Sequence, residues 1–173
     1  MAETATWSPF GDQARRQPFE NAAVRLEAMT PPALAIAQGD LDAPAVAGLL
    51  DAMTDAHATR LGPDLCYLWG AAEPIRRLTG QAPRDRVSVV DVSETRAWLR
   101  LSGTGAPMLL QKFSTREFSE EAFSASGALT GLGPITAFVT RTDRNDFQIA
   151  GPTSSAEYLA SMLLAAAADF STA

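Results

Sequence analysis

The 173-residue chain has one cysteine and one histidine. A lone Cys66 excludes an internal disulfide and fits a reducing, cytoplasmic setting. With His57 as the sole imidazole, a zinc or iron shell would lack nitrogen and sulfur ligands, and the nearest cysteine does not stand at metal-ligand spacing. No window approaches the roughly 18 to 20 apolar residues of a membrane span. The opening MAETATWSPFGDQARRQPF begins with an acid and has no apolar stretch of secretory length, so no signal peptide is expected. Repeats, low-complexity tracts and a Pro/Ser linker are likewise missing.

The net charge is −6, and the basic clusters (Arg15-Arg16, Arg76-Arg77, Arg84 with Arg86) are not interleaved with aromatics. A negative field repels a phosphate backbone, so nucleic acid is not expected as a partner. Apolar residues make up 46% and charged residues 20%, a composition that supports a packed core. Residues 1 to 21 mix Pro9, Gly11 and Pro18 with charges and carry no period. They read as an N-terminal arm, and 22 to 173 as one domain.

Along that domain, AAVRLEA (22 to 28) and ALAIA (33 to 37) read as strands split by Thr30-Pro31-Pro32. Val46, Leu49, Leu50 and Met53 recur at helical spacing, with Asp42 as the expected N-cap and Pro44 in the first turn. DLCYLWG (64 to 70) is an apolar strand, and AEPIRRLTGQ a helix expected to stop at Gly80. RVSVVDVS (86 to 93) and TRAWLRLSG (95 to 103) are two further strands. In the second, Ala97, Leu99 and Leu101 alternate with Arg96, Trp98 and Arg100, which predicts one buried face and one bearing two arginines and a tryptophan.

GAPMLLQKF predicts a helix, EFSEEAFSASGALTG an irregular acidic connection, and PITAFVTRTDRNDFQIAG a hairpin turning at 143 to 146. Ser154 with Glu157 forms the pattern of a capping box before a last helix in which Tyr158, Leu159, Met162, Leu163, Ala166, Ala167 and Phe170 recur. From residue 64 the order is strand, helix, strand, strand, helix, strand, strand, helix. It predicts an α+β fold: a ferredoxin-like split βαβ sandwich with additional strands and helices.

The chemical motifs are incomplete. Gly103-Thr104-Gly105 lies between strand and helix, but Met108 replaces the third glycine of a dinucleotide fingerprint. Gly127, Gly131 and Gly133 lack the Lys-Ser or Lys-Thr of a phosphate loop. There is no Gly-x-Ser-x-Gly elbow, and any Ser-His-Asp triad would have to use His57. His57 reads as a surface residue just after a helix, favoured by its dipole. Cys66 reads as a buried packing residue with a raised pKa. Asp91, Glu94, Glu117, Glu120, Glu121, Asp143 and Asp146 are carboxylates that no spacing assigns to one cleft. Trp69 and Trp98, on neighbouring predicted strands, read as packing residues rather than a ligand cage.

Three stretches carry a family likeness: LGPDLCYLWG (61 to 70), VVDVSETRAWLRLSGTGAPMLLQKF (89 to 113) and LGPITAFVTRTDRNDFQIAGPTSSAEYLASMLLAA (132 to 166). In order and spacing they resemble the gamma subunit of heterotetrameric sarcosine oxidase, with Leu61 to Asp64, Asp91 to Ser93 and Leu101 to Gly103 as the matching positions. Cys66 and Tyr67 depart from that pattern, where the family tends to carry an acidic residue and tryptophan. The resemblance implies a fold related to the folate-binding aminomethyltransferase domain. It also implies a noncatalytic structural subunit of an enzyme that oxidatively demethylates sarcosine or a related N-methyl amino acid. Its partners would be alpha, beta and delta subunits. FAD, FMN and NAD would lie in alpha and beta, zinc with delta, and tetrahydrofolate in an alpha-subunit domain, leaving no cofactor, catalytic or metal residue in this chain. The alternatives are a folate-dependent aminomethyltransferase-like domain and a small-ligand binding domain. An assembly role directs attention to Trp7, Phe10 and Phe19 in the arm, aromatic anchors with a polar surround, as partner-interface residues.

Overall fold

Short alternating runs punctuated by glycine and proline build ten strands and four helices in the computed structural model, which describes residues 18–123 and 127–170. In chain order the elements are β1 (Phe19–Glu20), β2 (Arg25–Ala28), β3 (Ala33–Gly39), α1 (Pro44–Asp51), β4 (Ala56–Arg60), β5 (Leu65–Gly70) and α2 (Ala72–Gln81). They continue with β6 (Val87–Asp91), β7 (Arg96–Ser102), α3 (Ala106–Gln111), β8 (Ala128–Leu132), β9 (Ile135–Asp143), β10 (Asp146–Pro152) and α4 (Ala156–Asp169). The class is α+β, with two antiparallel sheets, and the chain divides into two compact units.

The unit Pro31–Thr95 contains the order β3-α1-β4-β5-α2-β6 and a sheet ordered β4-β5-β3-β6, every neighbour antiparallel. This is the split βαβ arrangement: β3 and β4 run parallel with β5 between them. The motif therefore begins at β3 rather than at residue 64. The missed element was β4, where His57 reads from sequence as a residue just after a helix. Ala35, Ala37, Cys66, Leu68 and Val87 of the sheet pack with Val46 of α1 and Ile75 and Leu78 of α2. Asp42 does not cap α1. Ala43 holds that position, and the Asp42 carboxylate pairs with Arg60 at 2.8 Å. Nor does Gly80 stop α2, which runs one residue past it.

The other unit joins the described residues before Pro31 to the described residues from Arg96 on, in a six-stranded sheet ordered β1-β2-β7-β10-β9-β8. Leu26, Ala97, Leu99, Leu101, Ile135, Ala137, Val139, Phe147 and Ile149 share a core with Ala106, Leu109 and Leu110 of α3 and Leu159, Leu163 and Ala167 of α4. The β9–β10 hairpin turns over Arg144-Asn145, as the polar run predicts. β8 begins inside the stretch expected to be irregular and ends one residue past it, because Ala128 to Leu132 gains its ladder only by pairing with β9. The capping box does not form either. A 3-10 turn over Thr153–Ser155 precedes α4, and Ser155 is its N-cap, without a side-chain cap bond. Tyr158, expected on the apolar stripe, is 56% exposed.

On β7 the predicted alternation holds for Ala97, Leu99, Leu101 and Arg100, but Trp98 is fully buried although it shares Arg100's parity. Leu101→Asp is expected to lower unfolding free energy by several kcal/mol, since an unpaired charge enters the core. Arg100→Ala, which removes an exposed guanidinium, should cost about 1 kcal/mol or less. Urea unfolding of the two variants checks the register, and equal midpoints would refute it.

Candidate functional site

The Gly103-Thr104-Gly105 corner is filled by the chain itself. Gly103 has φ +109°, and a Cβ there would stand 2.3 Å from the Ala23 carbonyl oxygen. Its amide donates to the Asn145 carbonyl (3.0 Å), and the Gly105 amide donates to the Ala23 carbonyl (2.9 Å). Asn21 fixes the opposing strand entry: its side-chain oxygen accepts from the Ala23 and Val24 amides, and its side-chain nitrogen donates to the Ala167 carbonyl of α4. Amides spent on backbone carbonyls cannot cradle a phosphate. These glycines allow two backbones to approach.

The other sequence candidates are dispersed. His57 is on β4, not beyond a helix, and its exposed ring stacks on Trp69 with centroids 4.3 Å apart. The Trp69 indole N–H donates to Thr59 Oγ1 at 3.0 Å. Trp69 and Trp98 occupy different sheets, which corrects their expected adjacency. Cys66 is fully buried, and burial pushes its thiol up to about 11, Arg60 opposing the shift. Asp91 accepts from Ser93 Oγ (2.7 Å) and the Ser93 amide (2.9 Å), which hold its carboxyl below the ordinary value. Ser93 Oγ also accepts from the Leu34 amide (2.9 Å), so the Asp-x-Ser pattern ties the end of β6 to β3.

Among the remaining carboxylates, Glu120 pairs with Arg144 at 3.1 Å, and Asp143 accepts from the Arg144 amide. Glu94, Glu117 and Glu121 are exposed. Among the described residues no three His, Cys, Asp or Glu side chains stand together as a metal site. Trp7 and Phe10 lie outside the described residues. Phe19, in β1, is half-buried against its own unit's core.

Two constellations do assemble, both in the six-stranded unit. The first is a strip of alternating charge across β1, β2, β7 and β10. Asp146 takes two contacts of 3.0 Å from Arg100 Nε, Glu27 lies 3.7 Å from Arg100 Nη1, and Arg25 joins Glu27 (2.9 Å) to Glu20 (3.2 Å). Hydrogen bonding to Asp146 raises the Arg100 pKa, and hydrogen bonding to Glu27 raises that of Arg25. These pairs lie at the surface, with the Arg25 and Arg100 side chains 43% and 46% exposed, so each adds little to stability.

The second is Arg141, which no motif pointed to. Its signal was parity: Ile135, Ala137 and Val139 face the core, and the next position of that series is arginine. Arg141 is 7% exposed.

Neither a protein-family model nor a curated protein matches the sequence, so the likeness is carried by structure. A chain of heterotetrameric sarcosine oxidase from Corynebacterium sp. U-96, in complex with pyrrole 2-carboxylate, superimposes with a TM-score of 0.83 at 21% identity. The match covers 96% of this chain and 97% of that one. The chain has a sarcosine oxidase-chain fold. Glycine cleavage system aminomethyltransferase T from Bartonella henselae also shares it, at a TM-score of 0.60 and 19% identity over 83% of this chain. Only 46% of the transferase is matched, so this chain spans about half of that enzyme. Among the described residues no helix is long and apolar enough to cross a membrane.

Two expectations follow. Gly103→Ala should cost more than about 2 kcal/mol, because the left-handed backbone and the Ala23 carbonyl both resist a Cβ. Gly80→Ala, with open space around it in α2, should gain up to about 1 kcal/mol. Thermal unfolding separates them, and a neutral Gly103→Ala would refute the corner.

The second expectation concerns Cys66. Unfolding returns its thiol from about 11 to about 9.0. Between those values the unfolded chain loses the proton first, so stability falls as pH rises through the window and is unaffected by this group below it. Cys66→Ala should lack roughly 2 to 3 kcal/mol of that alkaline loss in denaturant titrations from pH 8 to 11. An unchanged pH slope would refute it.

Proposed function

We propose that this chain is a noncatalytic, gamma-type assembly subunit of a cytoplasmic, heterotetrameric sarcosine oxidase-like flavoenzyme acting on sarcosine or a related N-methyl amino acid. The observation that carries the reading is the near-complete two-way coverage. The match takes in 96% of this chain and 97% of one chain of a heterotetrameric oxidase, but only 46% of an aminomethyltransferase. On this reading the alpha and beta subunits hold FAD, FMN and NAD, delta holds zinc, and tetrahydrofolate binds in alpha. The chain itself works through surface, its arm presenting Trp7 and Phe10 to a partner while Phe19 anchors the arm's end to its own core. The charged strip from Glu20 to Asp146 supplies polar complementarity.

The likeness to the transferase favours one rival, a free-standing folate-binding domain. Affinity purification of the full chain from its native cell, with mass spectrometry and an absorbance spectrum, separates the two. The assembly reading expects three further chains in equal amount, flavin absorbance and sarcosine-dependent oxygen uptake. The double variant Trp7→Ala, Phe10→Ala should reduce recovery of that complex at least tenfold while leaving the thermal unfolding of the isolated chain unchanged. A chain that purifies alone and binds tetrahydrofolate saturably would replace this reading with the rival.

A further inference from the structure

A guanidinium keeps its charge in a protein, and a buried charge is ordinarily paired. Arg141 departs from that rule. Its Nη2 donates to the Phe118 carbonyl, while Nε and Nη1, both shielded from solvent, have no partner among the described residues. Its guanidinium carbon stands 5.0 Å from the ring centroid of Phe147, its cross-strand neighbour on β10. Phe118 and Phe123 complete an aromatic cluster, with centroids 5.0 Å from each other and 6.0 and 6.3 Å from Phe147. A cation over a ring face and a single carbonyl bond offset only part of the desolvation cost of such a group. The N–H of Nε and the pair on Nη1 remain directed donors in an apolar enclosure.

The ion pairs among the described residues leave this charge uncompensated, since the carboxylates nearest in sequence, Asp143 and Asp146, are engaged by the Arg144 amide and by Arg100. Independently of the assembly reading, we propose that Arg141 is an anion site for the carboxylate of a small organic acid. The charge argument favours a carboxylate over phosphate. One guanidinium balances one negative charge, whereas a phosphate dianion would require a second cation. Phe118, Phe123 and Phe147, buried side by side in one cluster, are the apolar neighbours that the body of the acid would meet. Phe118 and Phe123 belong to the connection between α3 and β8 and are both buried, so an acid would reach the guanidinium only where these side chains move aside.

The test uses the full chain in chloride buffer, titrated with sodium benzoate, sodium acetate or inorganic phosphate at matched ionic strength. Thermal unfolding and the assigned 15Nε–1Hε resonance of Arg141 are followed together. Benzoate should raise Tm saturably, by roughly 5 to 10 °C at a hundredfold excess over Kd. The Arg141 resonance should move with the same Kd, and acetate should do both more weakly. Arg141→Met replaces an uncompensated charge by an apolar side chain of similar reach and should fold while losing the response. The resonance reads the site in the unaltered chain if that variant does not fold. An unmoved Arg141 resonance, an equal Tm response in Arg141→Met, or a response to phosphate but not to carboxylates would each overturn the assignment.

Discussion

The ladder between β7 and β10 is the constraint on which the six-stranded unit depends. Seven residue pairs run without interruption from Arg96–Pro152 to Ser102–Asp146. Because side chains alternate with period two, a slip of one residue would turn Leu99 and Leu101 outward and bring Arg100 inside. The same register places Arg100 against Asp146 on the solvent face. Through the β9–β10 hairpin it also sets Arg141 opposite Phe147 on the core face. Surface strip and buried cation are thus two consequences of one pairing.

That ladder is closed at one end by backbone approach instead of side-chain packing. Gly103 admits the Ala23 carbonyl, and Asn21 holds the turn that delivers it. The segment that resembles a cofactor loop therefore serves to join β2, β7 and α3. In the other unit Ser93 and Asp91 play a comparable part, fixing β6 to β3 through the Leu34 amide. Both motifs mark strand ends where orphan backbone groups need partners.

These uses of polar residues bear on function. Asn21, Asp91 and Ser93 close strand ends, and Glu27 and Asp146 balance surface arginines. Fold is what this chain shares with a chain of a heterotetrameric oxidase, at 21% identity. Its proposed assembly role accordingly rests on the arm and the charged strip, and the enclosed Arg141 guanidinium stands apart from it.

Local periodicity was legible in the sequence wherever one face of an element is buried against its own unit. It identified the β7 stripe of Ala97, Leu99 and Leu101, the β9–β10 hairpin and the helical spacing of Leu159 and Leu163. It also placed Gly103 at a corner. The parity of Arg141 was present too, although a charge in a strand reads by habit as solvent-facing. Tertiary structure alone decided which strands share a sheet, that Ala56–Arg60 is a strand, that Trp98 is buried beside an exposed Arg100, and that Asp42 and Ser154 do not cap. The physical reason is range. Turns and alternation are set by neighbours in sequence, but a ladder partner, a covered face or a competing ion pair comes from residues far along the chain.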